Sequence, residues 1–150
     1  MPQSLAQIYV HLIFGTKNHE PLLENHVRDE LHRYVATILK NWESPAITIG
    51  SVSNHIHILF SLSRNHPIRK IVEEVKKSSS KWLKTKDGIT PNFHWQNGYG
   101  AFSVSQSELQ EVVEYFENQE DHHRHVSFQE EYRKFLQKYN IEFDERYVWD

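Results

Sequence analysis

Three observations predict an α+β fold for this chain. Short segments in which apolar residues alternate one by one are separated by longer segments in which they recur every three or four positions. The two kinds of segment follow one another in the order β-α-β-β-α-β-α. The 150 residues, 38% hydrophobic and 13% aromatic, are enough for one core, so residues 1–150 read as a single domain.

Ser4 to Thr16 reads as the first strand, with Leu5, Ile8, Val10, Leu12 and Phe14 along it and Tyr9 and His11 on the other face. Leu22 to Asn41 reads as a helix, because Leu23, Val27, Leu31, Tyr34, Val35, Ile38 and Leu39 recur at helical spacing; Ser44-Pro45 breaks it. Ala46 to Ser53 is a second strand, and Asn54 marks a tight connection into a third within Ser51 to Ser63. There Ile56, Ile58 and Phe60 alternate with His55, His57 and Leu59. Asn65-His66-Pro67 opens a second helix that buries Ile68, Ile71, Val72, Val75, Trp82 and Leu83 and ends at Asp87-Gly88. Its predicted exterior carries Lys76, Lys77, Lys81 and Lys84 with Ser78, Ser79 and Ser80. Phe93 to Ser103 is a fourth strand region, in which Gly98 and Gly100 around Tyr99 suggest a bulge or a close approach of backbone to a ligand. Ser105 to Asp121 reads as a third helix, with Ser105 and Glu108 spaced as a capping box. A polar tail holds one short amphipathic helix around Phe128 to Tyr139, then an extended end. The order matches the ferredoxin-like split βαβ arrangement: a four-stranded antiparallel sheet with two helices on one face, followed here by a tyrosine-bearing helix.

Composition narrows the chemistry. No apolar run approaches the roughly 18–20 residues of a membrane span. The first residues, MPQSLAQIYVHLIF, lack the features of a signal peptide. Cysteine is absent, which removes disulfides and thiolate zinc sites, fits a cytoplasmic protein and favours harder divalent ions. The net charge of −3 argues against broad non-specific DNA binding. The cations are nevertheless concentrated: Arg64, Arg69, Lys70, Lys76, Lys77, Lys81, Lys84 and Lys86 face only Glu73 and Glu74 in that stretch. A local basic stripe of this kind suits phosphate binding, and it is also what a solvated helix face looks like.

Two side chains two apart on a strand leave the same face of the sheet, so His55 and His57 point together, opposite to Ile56 and Ile58. Their imidazoles are then close enough to hold one metal ion. In a chain with 11 histidines the same spacing also arises from structural or solvent-facing residues. The segment VVEYFENQEDHH places Tyr115, Gln119 and His122 on one helical face through offsets of four and three. A phenol can attack phosphorus and leave a phosphotyrosine. The Gln119 carbonyl oxygen suits Mg²⁺ or Mn²⁺ as a third ligand beside two imidazoles. The simpler reading of Tyr115 is an exposed tyrosine on an amphipathic helix.

Taken together these segments resemble a known family. The NHIHIL strand resembles the His-hydrophobic-His signature of HUH endonucleases, and YFENQ, with one Tyr and a Gln four residues on, resembles their single-tyrosine branch. The chain is similar to the TnpA-type transposases of small insertion sequences and to the REP-associated tyrosine transposases. The similarity runs through FGTK, KSSSKW, WQNGYGAFSVS, YFENQEDHH and FDERYVWD. It implies a transposase that cuts and rejoins single-stranded DNA without ATP, through a 5′-phosphotyrosine and a free 3′-hydroxyl. It implies Tyr115 as nucleophile and His55, His57 and Gln119 as ligands of a divalent metal, Mg²⁺ or Mn²⁺. It further implies hairpin DNA as partner and a homodimer in which the tyrosine helix can serve the partner's site. Lys76, Lys77, Lys81 and Lys84 are the candidate phosphate contacts, with His122 as a further one and Trp95 or Tyr99 as stacking surfaces; a core role is equally open to Trp95. His11 and His94 read as structural. Two other readings stand beside this one. A non-catalytic ferredoxin-like module would bind hairpin or single-stranded nucleic acid without a covalent adduct. A histidine-rich zinc protein would bind zinc and no DNA.

Overall fold

The computed structural model describes residues 2–123 and 125–150. Four strands, β1 (Tyr9–Gly15), β2 (Ala46–Val52), β3 (His55–Ser61) and β4 (Gly100–Val104), form an antiparallel sheet in the order β2-β3-β1-β4. The helices among the described residues are α1 (Asn25–Asn41), α2 (Ile68–Leu83), α3 (Leu109–Glu117), α4 (Gln119–His122) and α5 (Phe128–Lys138). This is the ferredoxin-like topology, with the histidine-bearing strand in the interior of the sheet.

Alternation along β1 and β3 feeds two cores at once. Val10, Leu12, Phe14, Ile56, Ile58 and Phe60 pack against Val27, Leu31, Val35 and Leu39 of α1 and Ile71, Val72, Val75 and Leu83 of α2. On the opposite face Ile13 and Phe102 meet Phe128, Tyr132 and Leu136 of α5, while Leu59 and Val104 meet Phe116 of α3. The amphipathic tail helix is therefore a full wall of the domain. His55 and His57 lie under it with no exposed surface.

Two glycines set how closely that wall approaches. A Cβ on Gly15 would stand 2.7 Å from the Phe128 ring, and one on Gly50 would stand 3.1 Å from the Phe116 carbonyl oxygen. Both positions let the helices of the histidine face sit directly on the sheet.

Several predicted boundaries move. The first strand begins at Tyr9; Leu5 is 86% exposed, and of the residues before Tyr9 it is Ile8 whose carbonyl still accepts from the Leu62 N–H, at 2.7 Å. The first helix begins at Asn25; the Leu23 N–H instead donates to the Ser53 carbonyl. Of Phe93 to Ser103, regular pairing starts only at Gly100, with Phe93 and Trp95 serving as core plugs. The close approach at Gly98 is to the chain itself, whose Asp150 carbonyl accepts from the Gly98 N–H at 2.7 Å. The capping box does not form: the Ser105 carbonyl accepts from the Glu108 N–H in a 3-10 turn, and the Ser105 hydroxyl pairs with that of Ser107. The third helix is also interrupted at Asn118 (φ −98°, ψ 14°), which separates α3 from α4.

The exterior of α2 differs from expectation in two places. Ser79 is fully buried and accepts a hydrogen bond from the Trp95 indole at 3.0 Å, which settles Trp95 as a core residue. Lys76 turns inward, and its ammonium donates to the carbonyls of Gln96, Asn97 and Gly98 at 2.8, 3.0 and 2.6 Å. Burial lowers its pKa to about 8. Among the described residues no helix is long and apolar enough to cross a membrane.

Candidate active site

Glu131 of α5 is the centre of the histidine face. It is 2% exposed, and its two oxygens divide the neighbourhood between them. Oε1 lies 3.0 Å from His57 Nε2 and 3.3 Å from His55 Nε2. Oε2 lies 3.2 Å from His123 Nε2 and 3.3 Å from His122 Nε2, and it accepts a hydrogen bond from the Tyr115 hydroxyl. The phenol is also 3.3 Å from His122 Nε2. Strand histidines and helical tyrosine thus converge within one chain, and the carboxylate joins them.

The outer nitrogens of the imidazoles are already occupied. His123 Nδ1 donates to the Val126 carbonyl at 2.7 Å, and His55 Nδ1 donates to Asn54 Oδ1 at 2.8 Å. A neutral ring that donates from Nδ1 presents a bare lone pair at Nε2. His57 Nδ1 pairs with Nε2 of His11, 2.8 Å away on the neighbouring strand β1. Its own Nε2 is left for the centre. Burial lowers the pKa of His55 to about 4 and that of His11 well below the usual value, so both rings are uncharged at neutral pH. Burial would push the Glu131 carboxyl up, but the surrounding His123, His55 and His57 outweigh it and keep the group ionised. Burial and the adjacent Glu131 charge push the Tyr115 phenol above its ordinary range.

The Nε2 lone pair of the uncharged His55 ring faces a buried carboxylate and is repelled by it unless a cation lies between them. His55 Nε2 is buried without a hydrogen-bond partner. Ligand atoms of His55, His57, His123 and Glu131 lie within 4.8 Å of one another. Orphaned lone pair, facing carboxylate and clustered donors together fit a divalent cation.

Residues 4–119 match the family described as IS200-like transposases. The chain belongs to that family. The ISDra2 transposase TnpA of Deinococcus radiodurans is 24% identical over 120 residues, spanning 77% of this chain and 86% of that protein. A D. radiodurans protein whose crystal structure is described as that of a transposase superposes with a TM-score of 0.59 at 22% identity, over 79% of this chain and 98% of the other. A REP-associated tyrosine transposase, solved bound to a REP hairpin, superposes with a TM-score of 0.61 at 12% identity, over 84% of this chain and 74% of the other.

Within this transposase the predicted site residues separate into groups. His55, His57, Tyr115 and His122 meet at Glu131. Gln119 is buried beside them, with its amide donating to the Tyr115 carbonyl at 3.2 Å and its Oε1 at 3.1 Å from His123 Nε2. Lys77, Lys81 and Lys84 are exposed on α2, across the sheet from the tyrosine, and Lys76 is engaged by its three carbonyls. Sequence reasoning passed over Glu131 and left His11 as structural. A signal for Glu131 was present: Phe128, Glu131, Tyr132, Phe135 and Leu136 follow the spacing of one buried helical stripe, and a carboxylate in that stripe is out of place unless paired.

Proposed function

We propose that this transposase cleaves and rejoins single-stranded DNA through Tyr115, at a divalent metal held by His55, His57 and Glu131, with His123 and Gln119 closing the remaining side. The observation that carries the reading is the placement of the two Glu131 oxygens, one on the strand imidazoles and the other on the phenol. A cation bound there, Mg²⁺ or Mn²⁺, supplies Lewis-acid polarisation of a phosphate oxygen and offsets charge developing during in-line displacement. The imidazole-rich donor set favours Mn²⁺ of the two.

Tyr115 Oη attacks the scissile phosphorus, forming a phosphotyrosine while the bond to the 3′ oxygen breaks and that oxygen takes up a proton from solvent to leave as a hydroxyl. Glu131 Oε2 and His122 Nε2 are the acceptors within reach of the phenolic proton. The reverse attack, by a 3′-hydroxyl on a phosphotyrosine, rejoins a strand and conserves the bond energy. The phenol and the imidazoles of one chain meet at Glu131, and the homodimer implied by the family resemblance stays part of the same proposal.

The test is covalent adduct formation with single-stranded oligonucleotides from the DNA flanking the gene. Wild type with Mn²⁺ is expected to give a gel-shifted adduct that EDTA prevents. Tyr115→Phe is expected to give none while retaining oligonucleotide binding. Adducts that persist in Tyr115→Phe, or that form in EDTA, would overturn the assignment.

A further inference from the structure

The face of α5 that carries Glu131 continues through Lys134, Phe135 and Lys138, at offsets of three, four and seven. Two cavities open along it. One, about 200 Å³, is lined by Tyr115, His122, Glu131, Lys134, Phe135 and Lys138. The other, about 250 Å³, lies on the far side of the phenol and has His11, Glu108, Glu111 and Val112 in its wall. Tyr115, Phe135 and Lys138 belong to both, so the cavities form one trough that passes the nucleophile.

The charges along the trough are unequal. Lys134 and Lys138 are exposed at their ends, and neither makes an ion pair with a carboxylate among the described residues. Lys138 does lie 5.4 Å from the Tyr139 ring. Their separation along the helix is about 6 Å of rise. Glu108 and Glu111 stand at the other side, on the approach to α3 and its first turn. The helix bearing the lysines cannot easily leave, since Phe128, Tyr132 and Leu136 anchor it in the core.

We propose that this trough is the track of the single DNA strand, with Lys134 and Lys138 of α5, rather than the lysines of α2, contacting the phosphates that flank the one attacked by Tyr115. The basic wall takes the sugar-phosphate backbone. The acidic wall repels phosphates and turns toward base edges, where Glu108 and Glu111 can accept from exocyclic amino groups. The Phe135 ring lies between the two cavities and offers a surface for stacking a base. The inference rests on the single-strand reading above and adds which residues hold the strand.

The experiment measures binding of a fluorescein-labelled single-stranded oligonucleotide of mixed A, C and T sequence to Tyr115→Phe protein with Mg²⁺, by anisotropy, between 50 and 200 mM salt. Each lost phosphate contact on a single strand lowers the slope of log affinity against log salt by about 0.7. Adding Lys134→Ala and Lys138→Ala is expected to reduce the slope by about 1.4, so that affinity falls about sevenfold less across that salt range. Adding Lys77→Ala, Lys81→Ala and Lys84→Ala instead is expected to leave the slope in place. Mn²⁺ titration of the Lys134/Lys138 variant, expected to match its parent, checks that the site is intact. An unchanged slope in that variant, or loss of slope only in the α2 variant, overturns this proposal and leaves the single-strand reading standing. A parent protein with no affinity for the oligonucleotide overturns both.

Discussion

Replacing His11 with phenylalanine probes the geometry most directly, because it alters no atom facing the centre. The His11 ring already lies among aromatics, with Phe116 and Phe135 centroids at 5.0 Å and Phe102 at 6.3 Å, so a phenyl ring suits the space. What disappears is the partner of His57 Nδ1 at 2.8 Å. Leaving that buried nitrogen unpaired costs about 1–3 kcal/mol, which lowers Tm by roughly 2–4 °C per kcal/mol for a domain of this size. The larger consequence is on the metal. An imidazole that loses the partner fixing its tautomer and orientation loses about 10–100-fold in metal affinity. Calorimetric titration with Mn²⁺ should therefore show a Kd raised by that factor. The Mn²⁺ concentration giving half-maximal adduct should rise in parallel. His11→Gln, whose side-chain amide can pair with His57 Nδ1, should recover part of the affinity. Should His11→Phe lower Tm while Mn²⁺ affinity stays within twofold of wild type, His11 is a core residue only and the link from β1 through His57 to the centre is wrong.

Two further outcomes follow from the same cluster. Glu131→Gln keeps shape and removes charge, so Mn²⁺ affinity should fall further than for His11→Phe, beyond about 100-fold, and adduct formation should be lost; unchanged Mn²⁺ titration would remove Glu131 from the centre. In EDTA the protein should lose stability as pH drops from 6.5 toward 4. His55 is held at about 4 when folded and returns to about 6.5 when unfolded, so the unfolded chain binds more protons in that window. The drop from 6.5 to about 4 corresponds to about 3 kcal/mol, with the buried His11 acting in the same direction. Urea midpoints measured across that range should fall accordingly, and a flat profile in EDTA would refute the burial argument.

The elements of the fold were readable because their apolar spacing survives in the local sequence. The β1 and β3 alternation and the α1 and α2 stripes correspond to the observed cores. The His55–His57 pair was readable for the same reason. What local sequence could not supply was the second layer. His11 and His57 are 46 residues apart, and His57 and Glu131 are 74 apart. Only strand register and the docking of α5 bring them together. The inward turn of Lys76 has a similar origin, since its partners are carbonyls of a loop with no side-chain signature. Gly15 and Gly50 carried no legible message either, yet each sits where a methyl group would push a helix away from the histidines.

A net charge of −3 is compatible with the proposed strand cleavage once encounter and positioning are separated. Long-range field governs how often DNA arrives, and an acidic protein gains little from it. Positioning depends on the few charges within about a Debye length of the reacting phosphate, roughly 8–10 Å at ordinary salt. Along the trough past Tyr115, Lys134 and Lys138 stand on one wall, Glu108 and Glu111 on the other, and Glu131 beside the phenol. In this balance a phosphate beside Glu131 is repelled until a divalent cation offsets the carboxylate. Strand placement and metal loading should therefore favour one another. Oligonucleotide should raise Mn²⁺ affinity, and Mn²⁺ should raise oligonucleotide affinity by the same factor, because the coupling free energy is shared. Independent binding of the two in Tyr115→Phe protein would mean that the strand does not pass the carboxylate, and that the attacked phosphate lies elsewhere.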